Sequence, residues 1–254
     1  MTNIMEGENI HKFFGGLAAI SELDFRIGEG EIVGLIGPNG AGKTTLINVV
    51  TGLSSASRGV VRFRGKDITR AKPHHIGRMG IARTFQVVKP FAGMTVAENI
   101  LVAALFGRRG MKRNHREAMT KVDEVLEIIG LAHKRDLSVE STTIPDRKRL
   151  ELAKALAMEP ELIFLDEVMA GLTPKEIENV MALIQRLNRE GISFLVIEHV
   201  MKAVMGISHR VLVLHHGKPI AEGTPQEIVQ DEKVIGAYLG SKYGKGRNGT
   251  VLDA

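Results

Sequence analysis

The feature that most constrains this chain is a glycine-rich segment near its start, Gly37-Pro38-Asn39-Gly40-Ala41-Gly42-Lys43-Thr44-Thr45. It fits the pattern G-x-x-x-x-G-K-[ST] at every required position, between an apolar run at 32–36 and a predicted helix at 46–50. Successive backbone N–H groups and a helix N-terminus bind a polyphosphate well, and glycines let the backbone approach it closely. A strand, this loop and a helix in that order predict a nucleoside triphosphate site, in preference to a chance glycine-rich turn. Lys43 is expected to reach the β- and γ-phosphates, and the Thr44 hydroxyl to ligate Mg²⁺.

Carboxylates at the end of a second apolar run suit the same ligand. Residues 162–165 lead directly to Asp166 and Glu167, and ligands of parallel sheets bind at the carboxyl ends of the strands. Asp166 is expected to hold Mg²⁺ through water, and Glu167 to polarise an attacking water. The alternative is an ordinary strand followed by an acidic turn, and the phosphate loop elsewhere in the chain makes it the weaker interpretation.

Two polar residues at predicted strand ends have a role that the local sequence alone does not decide. The segment 80–86 is predicted to be a strand that ends at Gln86, and the buried strand 192–197 leads to His199. A lone histidine in such a place is usually structural or solvated, whereas beside a triphosphate it would sense the γ-phosphate.

Composition limits the class of protein without choosing its partner. A chain of 254 residues can bury the core of one large domain or of a core with a subdomain. Hydrophobic content of 44% and charged content of 25% are typical of a soluble globular protein, and no stretch approaches the ~20 apolar residues of a membrane helix. The absence of cysteine excludes disulfides and thiolate metal sites and suits a cytosolic protein. A net charge of +5 permits nucleotide, nucleic acid or lipid headgroups as partners.

The rest of the chain divides into β-rich ends and a helical middle. Residues 8–27 are predicted to form two β-segments, with Phe13 and Phe14 placed either in the core or for stacking on a purine. A capping box at 95–98 opens the helical stretch, which contains the basic run 108–116. We interpret that run as a solvated loop, with contact to lipid headgroups or a partner as the minority alternative. Segments 210–214 and 219–221 are predicted to form a hairpin.

Several classes of protein share the phosphate loop. A GTPase interpretation would use Thr120-Lys121-Val122-Asp123, but this tetrapeptide lies within a predicted amphipathic helix and not after a buried strand. A small-molecule kinase would lack the long helical insert followed by the Asp166-Glu167 strand. A chromosome-maintenance ATPase would need a long heptad arm. These three classes are therefore disfavoured.

The arrangement resembles the ATP-binding subunit of ABC transporters over nearly the whole chain. Three segments at 80–86, 94–99 and 221–225, with Ala237-Tyr238-Leu239-Gly240, make it similar to the LivG type that serves branched-chain amino acid importers. The resemblance implies an α/β ABC-ATPase fold with a parallel-sheet core, an N-terminal antiparallel β subdomain and a helical signature subdomain. It implies one domain, with a nucleotide-binding core at 1–93 and 159–239, a helical subdomain at 94–158 and a flexible tail at 240–254.

The resemblance also implies a role for each site residue. Phe14 would stack on adenine, and Lys43, Thr44 and Thr45 would hold phosphates and Mg²⁺. Gln86 would contact Mg²⁺ and the attacking water, Glu167 would be the general base, and His199 would respond to the γ-phosphate. ATP and Mg²⁺ are thus the expected cofactors, and hydrolysis would be an in-line attack by water.

The chain departs from the family at its signature, Leu-Ser-Gly-Gly-Gln. The corresponding residues are Thr142-Thr143-Ile144-Pro145-Asp146, in which Thr143 keeps a hydroxyl and Pro145 cannot donate an N–H. Thr143 and Asp146 are the residues that would act in trans on a partner's nucleotide, or they form a capping box for the next helix. Val168 and Thr173 are milder departures. The composite site that receives this signature is expected to be the weaker one.

The function implied is that of a peripheral subunit on the cytoplasmic face of the inner membrane. Its expected partners are two transmembrane permeases, a second ATPase that is LivF-like or a second copy, and indirectly an extracytoplasmic solute-binding protein, with no nucleic acid. The divergent signature favours a heterodimer. A lipid-export ATPase and a soluble, non-transport ABC protein are the alternatives, and the transported substrate stays open because specificity lies in other chains.

Overall fold

The computed structural model describes residues 2–86, 88–108 and 114–239. The predicted tail at 240–254 and the central part of the basic run, 109–113, lie outside the described residues. Contacts divide the chain into two compact units, of which one is Met1–Lys72 with Met169–Ala254 and the other is Pro73–Val168.

The first unit contains an antiparallel sheet built from the N-terminal segment. Its strands are β1 (Asn3–Phe14), β2 (Leu17–Gly28), β4 (Arg58–Phe63) and β5 (Lys66–Asp67), in the order β2-β1-β4-β5. Strand β1 pairs with β2 through a tight turn in which Gly15 has φ 57°, a left-handed conformation that glycine adopts without strain. The two predicted β-segments are confirmed, and the first begins earlier than the sequence indicated.

The first unit also contains parallel strands. These are β3 (Ile32–Ile36), β8 (Ser193–Ile197) and β9 (Arg210–His215), and β10 (Lys218–Gly223) pairs antiparallel with β9. Strand β3 lies between β8 and β9 and runs parallel to both. Every residue of β3 and β8 is buried, which explains why both appear in the sequence as continuous apolar runs.

The helices of this unit are amphipathic or short. They are α1 (Lys43–Val50), α6 (Pro174–Arg189), α7 (Met201–Ile207), α8 (Pro225–Gln230) and α9 (Glu232–Leu239). Helix α6 begins at the N-cap Thr173, whose side chain accepts the Glu176 N–H while Pro174 occupies the first turn. This N-cap and the proline that follows it explain why α6 begins at this point.

The second unit is mainly helical. It contains α2 (Pro73–Met79), β6 (Ile81–Arg83), α3 (Val96–Phe106), α4 (His115–Ile129), α5 (Ile144–Ala157) and β7 (Leu162–Asp166), with short 3-10 turns at Ala132–Lys134 and Val139–Ser141. Helices α3, α4 and α5 pack on one another, and β6 runs parallel to β7. This unit extends beyond the predicted helical subdomain at 94–158 on both sides.

Local signals in this unit agree with the sequence in most places. Thr95 caps α3 through a complete capping box, and Gly130 ends α4 with φ 71°. The tetrapeptide 120–123 lies inside α4, as the argument against a GTPase required. The predicted strand 80–86 is shorter than expected, because β6 ends at Arg83 and Gln86 lies in the loop beyond it.

The predicted α/β class with an antiparallel β subdomain, parallel strands and a helical region is confirmed. Of the helices in the described ranges, none is both long and apolar enough to cross a membrane.

Candidate nucleotide-binding site

The phosphate loop connects β3 to α1, and at two of its glycines, Gly37 and Gly42, a side chain would collide with neighbouring backbone. A Cβ atom at Gly37, where φ is 152°, would lie 2.1 Å from the Leu214 carbonyl oxygen. A Cβ atom at Gly42, where φ is 103°, would lie 2.7 Å from the Ala19 carbonyl oxygen. The backbone of this loop is therefore packed directly against neighbouring backbone, which fixes its shape.

The N-terminus of α1 differs from those of the other long helices. Among the described residues, no side chain caps it, and its first turn carries no acidic residue. By contrast, five of the described helices begin with a complete capping box that places a Glu or Asp at the third position: α3, α4, α5, α6 and α8. The first N–H groups of α1 and the positive end of its dipole are thus left for an anion.

Side chains of the loop place one cation and two hydroxyls at this helix end. Lys43 is buried, and its Nζ donates to the carbonyl oxygens of Gly37 at 2.6 Å and Pro38 at 3.0 Å. Thr44 is exposed and Thr45 is half-buried. The Lys43 side chain therefore folds back onto the first two residues of the loop, and Thr44 is exposed to solvent.

Two further predicted residues belong to the same unit. Phe14 ends β1 with 53% of its surface exposed, and the Lys12 Nζ lies 4.9 Å from its ring centroid. Phe14 therefore lies at the surface and not in the core, and its stacking on a purine stays a prediction. His199 follows β8 and is exposed, while its neighbour Glu198 is buried and accepts the Met169 N–H at 2.7 Å.

The second unit brings Gln86, Asp166 and Glu167 together. Gln86 Nε2 donates to Glu167 Oε2 at 2.6 Å. Asp166 ends β7, and Glu167 has φ 54°, so the chain turns sharply immediately after the strand. Gln86, in the loop after β6, thus holds Glu167, the second of the two acidic residues identified in the sequence.

Arg83 is a site residue that the sequence analysis missed. Its Nη2 lies 3.2 Å from Asp166 Oδ2, and the two side chains are only 10% and 2% exposed. Burial lowers the pKa of Arg83, and the neighbouring Asp166 carboxylate counteracts this effect. The available signal was a charged residue inside a predicted strand, but no local pattern indicates that β6 pairs with the strand that carries Asp166.

The residues at the position of the family signature, 142–146, form the N-terminus of helix α5, which is closed by a capping box. Thr143 is the N-cap of α5, and its Oγ1 donates to Asp146 Oδ2 at 2.7 Å. Lys134 Nζ lies 2.6 Å from the same oxygen, and Ile144 is 70% exposed. Of the two roles considered for Thr143 and Asp146, the capping box is observed. The pKa of Asp146 would be raised by burial, but hydrogen bonds from Lys134 and Thr143 outweigh burial and lower it.

Comparison with known proteins decides the family. Residues 20–170 match the family model described as ABC transporter, and this range includes the phosphate loop, Gln86, the signature region and both acidic residues. The chain belongs to the ABC transporter family of ATP-binding cassettes. Residues 218–243 of this cassette match a second model, described as branched-chain amino acid ATP-binding cassette transporter.

Individual relatives of this cassette agree with both matches. It is 39% identical to the high-affinity branched-chain amino acid transport ATP-binding protein BraF of Pseudomonas aeruginosa, over 93% of this chain and 98% of BraF. It is 41% identical to LivG of Escherichia coli K12, over 89% of this chain and 94% of LivG. The predicted resemblance to LivG-type cassettes and the predicted ATPase class are confirmed.

A solved structure gives the same answer for the fold. The ADP conformation of an ATP-binding cassette of an ABC transporter superposes with a TM-score of 0.87 at 33% identity, covering 94% of this chain and 100% of that chain. The predicted ABC-ATPase fold is thereby confirmed.

The ion pair between Arg83 and Asp166 leads to a first prediction. Arg83→Leu leaves a buried carboxylate without this counter-charge, so the free energy of unfolding at pH 7 should fall by about 3–5 kcal/mol. Urea denaturation followed by circular dichroism measures the change. The double variant Arg83→Leu/Asp166→Leu should recover most of the loss, since it removes both charges. Equal stability of the wild type and Arg83→Leu would show that the pair contributes nothing.

Asp146 leads to a prediction about pH. Because its folded-state pKa is lowered, the ionised form stabilises the fold above the ordinary aspartate pKa of about 4, and this contribution disappears as pH falls through the folded-state pKa. Asp146→Asn should therefore cost roughly 1 kcal/mol of unfolding free energy at pH 7 and progressively less below pH 4. Asp136→Asn is the matched control, because that side chain is 80% exposed. A stability difference for Asp146→Asn that does not change with pH would contradict the assignment.

Proposed function

We propose that this cassette is the ATP-hydrolysing subunit of an importer for branched-chain amino acids or related small polar solutes. The observation that carries the proposal is the match of residues 218–243 to the branched-chain amino acid transporter model. The match at 20–170 is to a model for ABC transporters in general and gives no substrate. The names of BraF and LivG support the same substrate class. A lipid-export ATPase and a soluble ABC protein receive no comparable support.

In this proposal the uncapped start of α1 binds the phosphates of ATP. The loop residues 37–45 provide the backbone N–H groups, and Lys43 adds a positive charge that moves from the loop carbonyls to the β- and γ-phosphates. Phe14 stacks on adenine, which its exposed position permits. Support comes from the contrast between α1 and the five capped helices.

Mg²⁺ is the proposed metal, and the side chains assigned to it fit its preference for oxygen ligands. Thr44 would contribute its hydroxyl, Asp166 its carboxylate through water, and Gln86 its amide oxygen. When bound, Mg²⁺ supplies positive charge that neutralises charge developing on the phosphates. Arg83 would keep the Asp166 carboxylate in place at the end of β7.

Glu167 is the proposed general base. Its carboxylate would accept a proton from the attacking water, and the 2.6 Å hydrogen bond from Gln86 fixes the direction of that carboxylate. His199, exposed after β8, would donate a hydrogen bond to the γ-phosphate. Catalysis would then come mainly from positioning and from charge stabilisation.

The start of α5 is a poor site for a partner's phosphate. Asp146 places a carboxylate there and bonds to Thr143, so an incoming phosphate would meet a like charge and a hydroxyl that is already engaged. Pro145 supplies no N–H. We therefore propose that the composite site completed by this signature is the weaker of two, and that the partner is a LivF-like chain rather than a second copy.

The remaining partners follow from the importer role. Two transmembrane permeases would hold the cassette at the cytoplasmic face of the inner membrane, and an extracytoplasmic binding protein would deliver the solute. Nucleic acid has no part in this proposal.

The catalytic roles have a direct test. Glu167→Gln should bind ATP like the wild type and hydrolyse it at least about 100-fold more slowly, because only the water-activating base is lost. Lys43→Ala should lose binding as well. Calorimetric ATP titration and phosphate release measure the two effects, and Glu178→Gln on the exposed face of α6 is the matched control. Wild-type turnover by Glu167→Gln would remove that residue from the proposed role.

The transport role is tested by its partners. Affinity-tagged protein is purified from detergent-solubilised membranes of the native host and analysed by mass spectrometry. Two permeases, a second ATPase and a solute-binding protein for amino acids are expected together. Recovery of ribosomes or DNA without any permease would contradict the importer function.

A further inference from the structure

The turn between β9 and β10 has no role in the nucleotide chemistry assigned above, and yet it contacts the phosphate loop. It consists of His216 and Gly217, because His215 of β9 pairs with Lys218 of β10. The two turn residues have φ values of 47° and 75°, as a tight two-residue hairpin requires. His216 is exposed, whereas Gly217 is buried. A buried glycine in a hairpin turn indicates that another part of the chain packs against it.

Hydrogen bonds connect Gly217 to the phosphate loop and to β2. The Gly217 N–H donates to the Ala41 carbonyl oxygen at 3.0 Å. The Gly217 carbonyl oxygen accepts the Ser21 N–H at 2.9 Å. Ala41 precedes Gly42, the N-cap residue of α1. The two backbone groups of Gly217 therefore join the end of the phosphate loop to β2.

The backbones of β2, the loop and the turn also meet without room for a side chain. A Cβ at Gly217 would lie 2.7 Å from the Ala19 carbonyl oxygen and 3.1 Å from the Ile20 Cα. A Cβ at Gly42 would lie 2.7 Å from the same Ala19 oxygen and 3.5 Å from the Gly217 Cα. We call Ala19, Gly42 and Gly217 the backbone junction. Since backbone atoms cannot move aside as a flexible side chain can, the junction fixes the spacing of the three segments.

Strand β9 contacts the other end of the loop. Its residue Val213 pairs with Ile36, which precedes the loop at the end of β3. The Leu214 carbonyl oxygen is the atom that a Cβ at Gly37 would approach to 2.1 Å. The end of β9 and its turn therefore contact the loop both at Gly37 and at Ala41.

The backbone junction also relates the loop to the proposed adenine platform. Phe14 ends β1, and β2 begins at Leu17 after a tight turn. Ala19 of the junction follows in the same strand, two residues after Leu17. The contact of Gly42 with Ala19 therefore sets the spacing between Phe14 and the phosphate loop.

We propose that Gly217 is a positioning residue for nucleotide binding, which holds the phosphate loop against β2 through its N–H and its lack of a side chain. The proposal rests on the nucleotide role of the loop given above. A loop rich in glycine loses much conformational freedom when it is ordered around a ligand. A contact that orders the loop before ATP arrives removes part of this cost.

The chain offers a matched control for this turn. Arg64 and Gly65, with φ values of 48° and 73°, form the turn between β4 and β5. Among the residues that the structure describes, a Cβ at Gly65 would meet no atom within 4 Å beyond its chain neighbours. Asparagine is one of the residues that tolerate a left-handed backbone. Gly65→Asn and Gly217→Asn therefore impose similar backbone strain, and only Gly217→Asn brings a side chain into the junction.

The two variants should differ in nucleotide binding. Gly217→Asn should raise the Kd for MgATP at least about fivefold, because overpacking displaces the turn from the loop. Gly65→Asn should keep the Kd within about twofold of the wild type. The kcat at saturating MgATP should stay within about threefold in both, because Gly217 has no side chain that could take part in the reaction. Isothermal titration and steady-state hydrolysis of the full chain measure these quantities. An equal Kd in all three proteins, or an equal rise in both variants, would overturn the proposal.

The wild type gives a second test that does not require a variant to fold. A contact that favours ATP binding must itself be stabilised by bound ATP, because coupling between binding free energies is reciprocal. Amide hydrogen exchange at Gly217, followed by nuclear magnetic resonance, should therefore be at least about threefold slower with saturating MgATP than without it. An unchanged exchange rate would also overturn the proposal.

Failure of the proposed function gives a different result. If the wild type binds no MgATP, the nucleotide role of the loop is wrong. The contact is then tested without nucleotide, by the amide resonances of Ala41 and Gly42. Gly217→Asn should shift both resonances, and Gly65→Asn should leave them unchanged. Unshifted resonances in Gly217→Asn would show that Gly217 does not position the loop.

Discussion

A helix whose first N–H groups lack an internal partner is stabilised by an anion, and α1 is such a helix. In the described part of the chain no side chain caps it, and its approach through Gly37 and Gly42 is packed so closely that no Cβ fits at either position. The side chains assigned to phosphate, Mg²⁺ and water can act only if this helix end and its loop hold the phosphates in one defined position. The cassette therefore depends first on backbone geometry and only then on side chains.

Helix α5 shows the opposite solution to the same physical problem. Its first N–H groups are satisfied by its own Thr143 and Asp146, and Lys134 neutralises the Asp146 carboxylate. One chain thus contains a helix start without a side-chain cap and another whose cap places a carboxylate there, and this contrast supports the proposal of two unequal nucleotide sites.

The acidic residues of the second unit are held in a comparable way. Arg83 contacts Asp166 and Gln86 contacts Glu167, so the short segment after β6 restrains both carboxylates at the end of β7. In the first unit the hairpin between β9 and β10 contacts the phosphate loop, because the Gly217 N–H donates to the Ala41 carbonyl oxygen. Each part of the nucleotide machinery is thus supported within its own unit by residues distant in sequence.

The sequence by itself determined the phosphate loop, the acidic strand end, the capping box at Thr95 and the family, because each is a local pattern of neighbouring residues. It left the role of Thr143 open and overestimated the length of β6. Only the tertiary structure decided that Arg83 faces Asp166 and that Gly217 bonds to Ala41. These partners are 83 and 176 positions apart, and no local periodicity records which distant strands and turns will become neighbours.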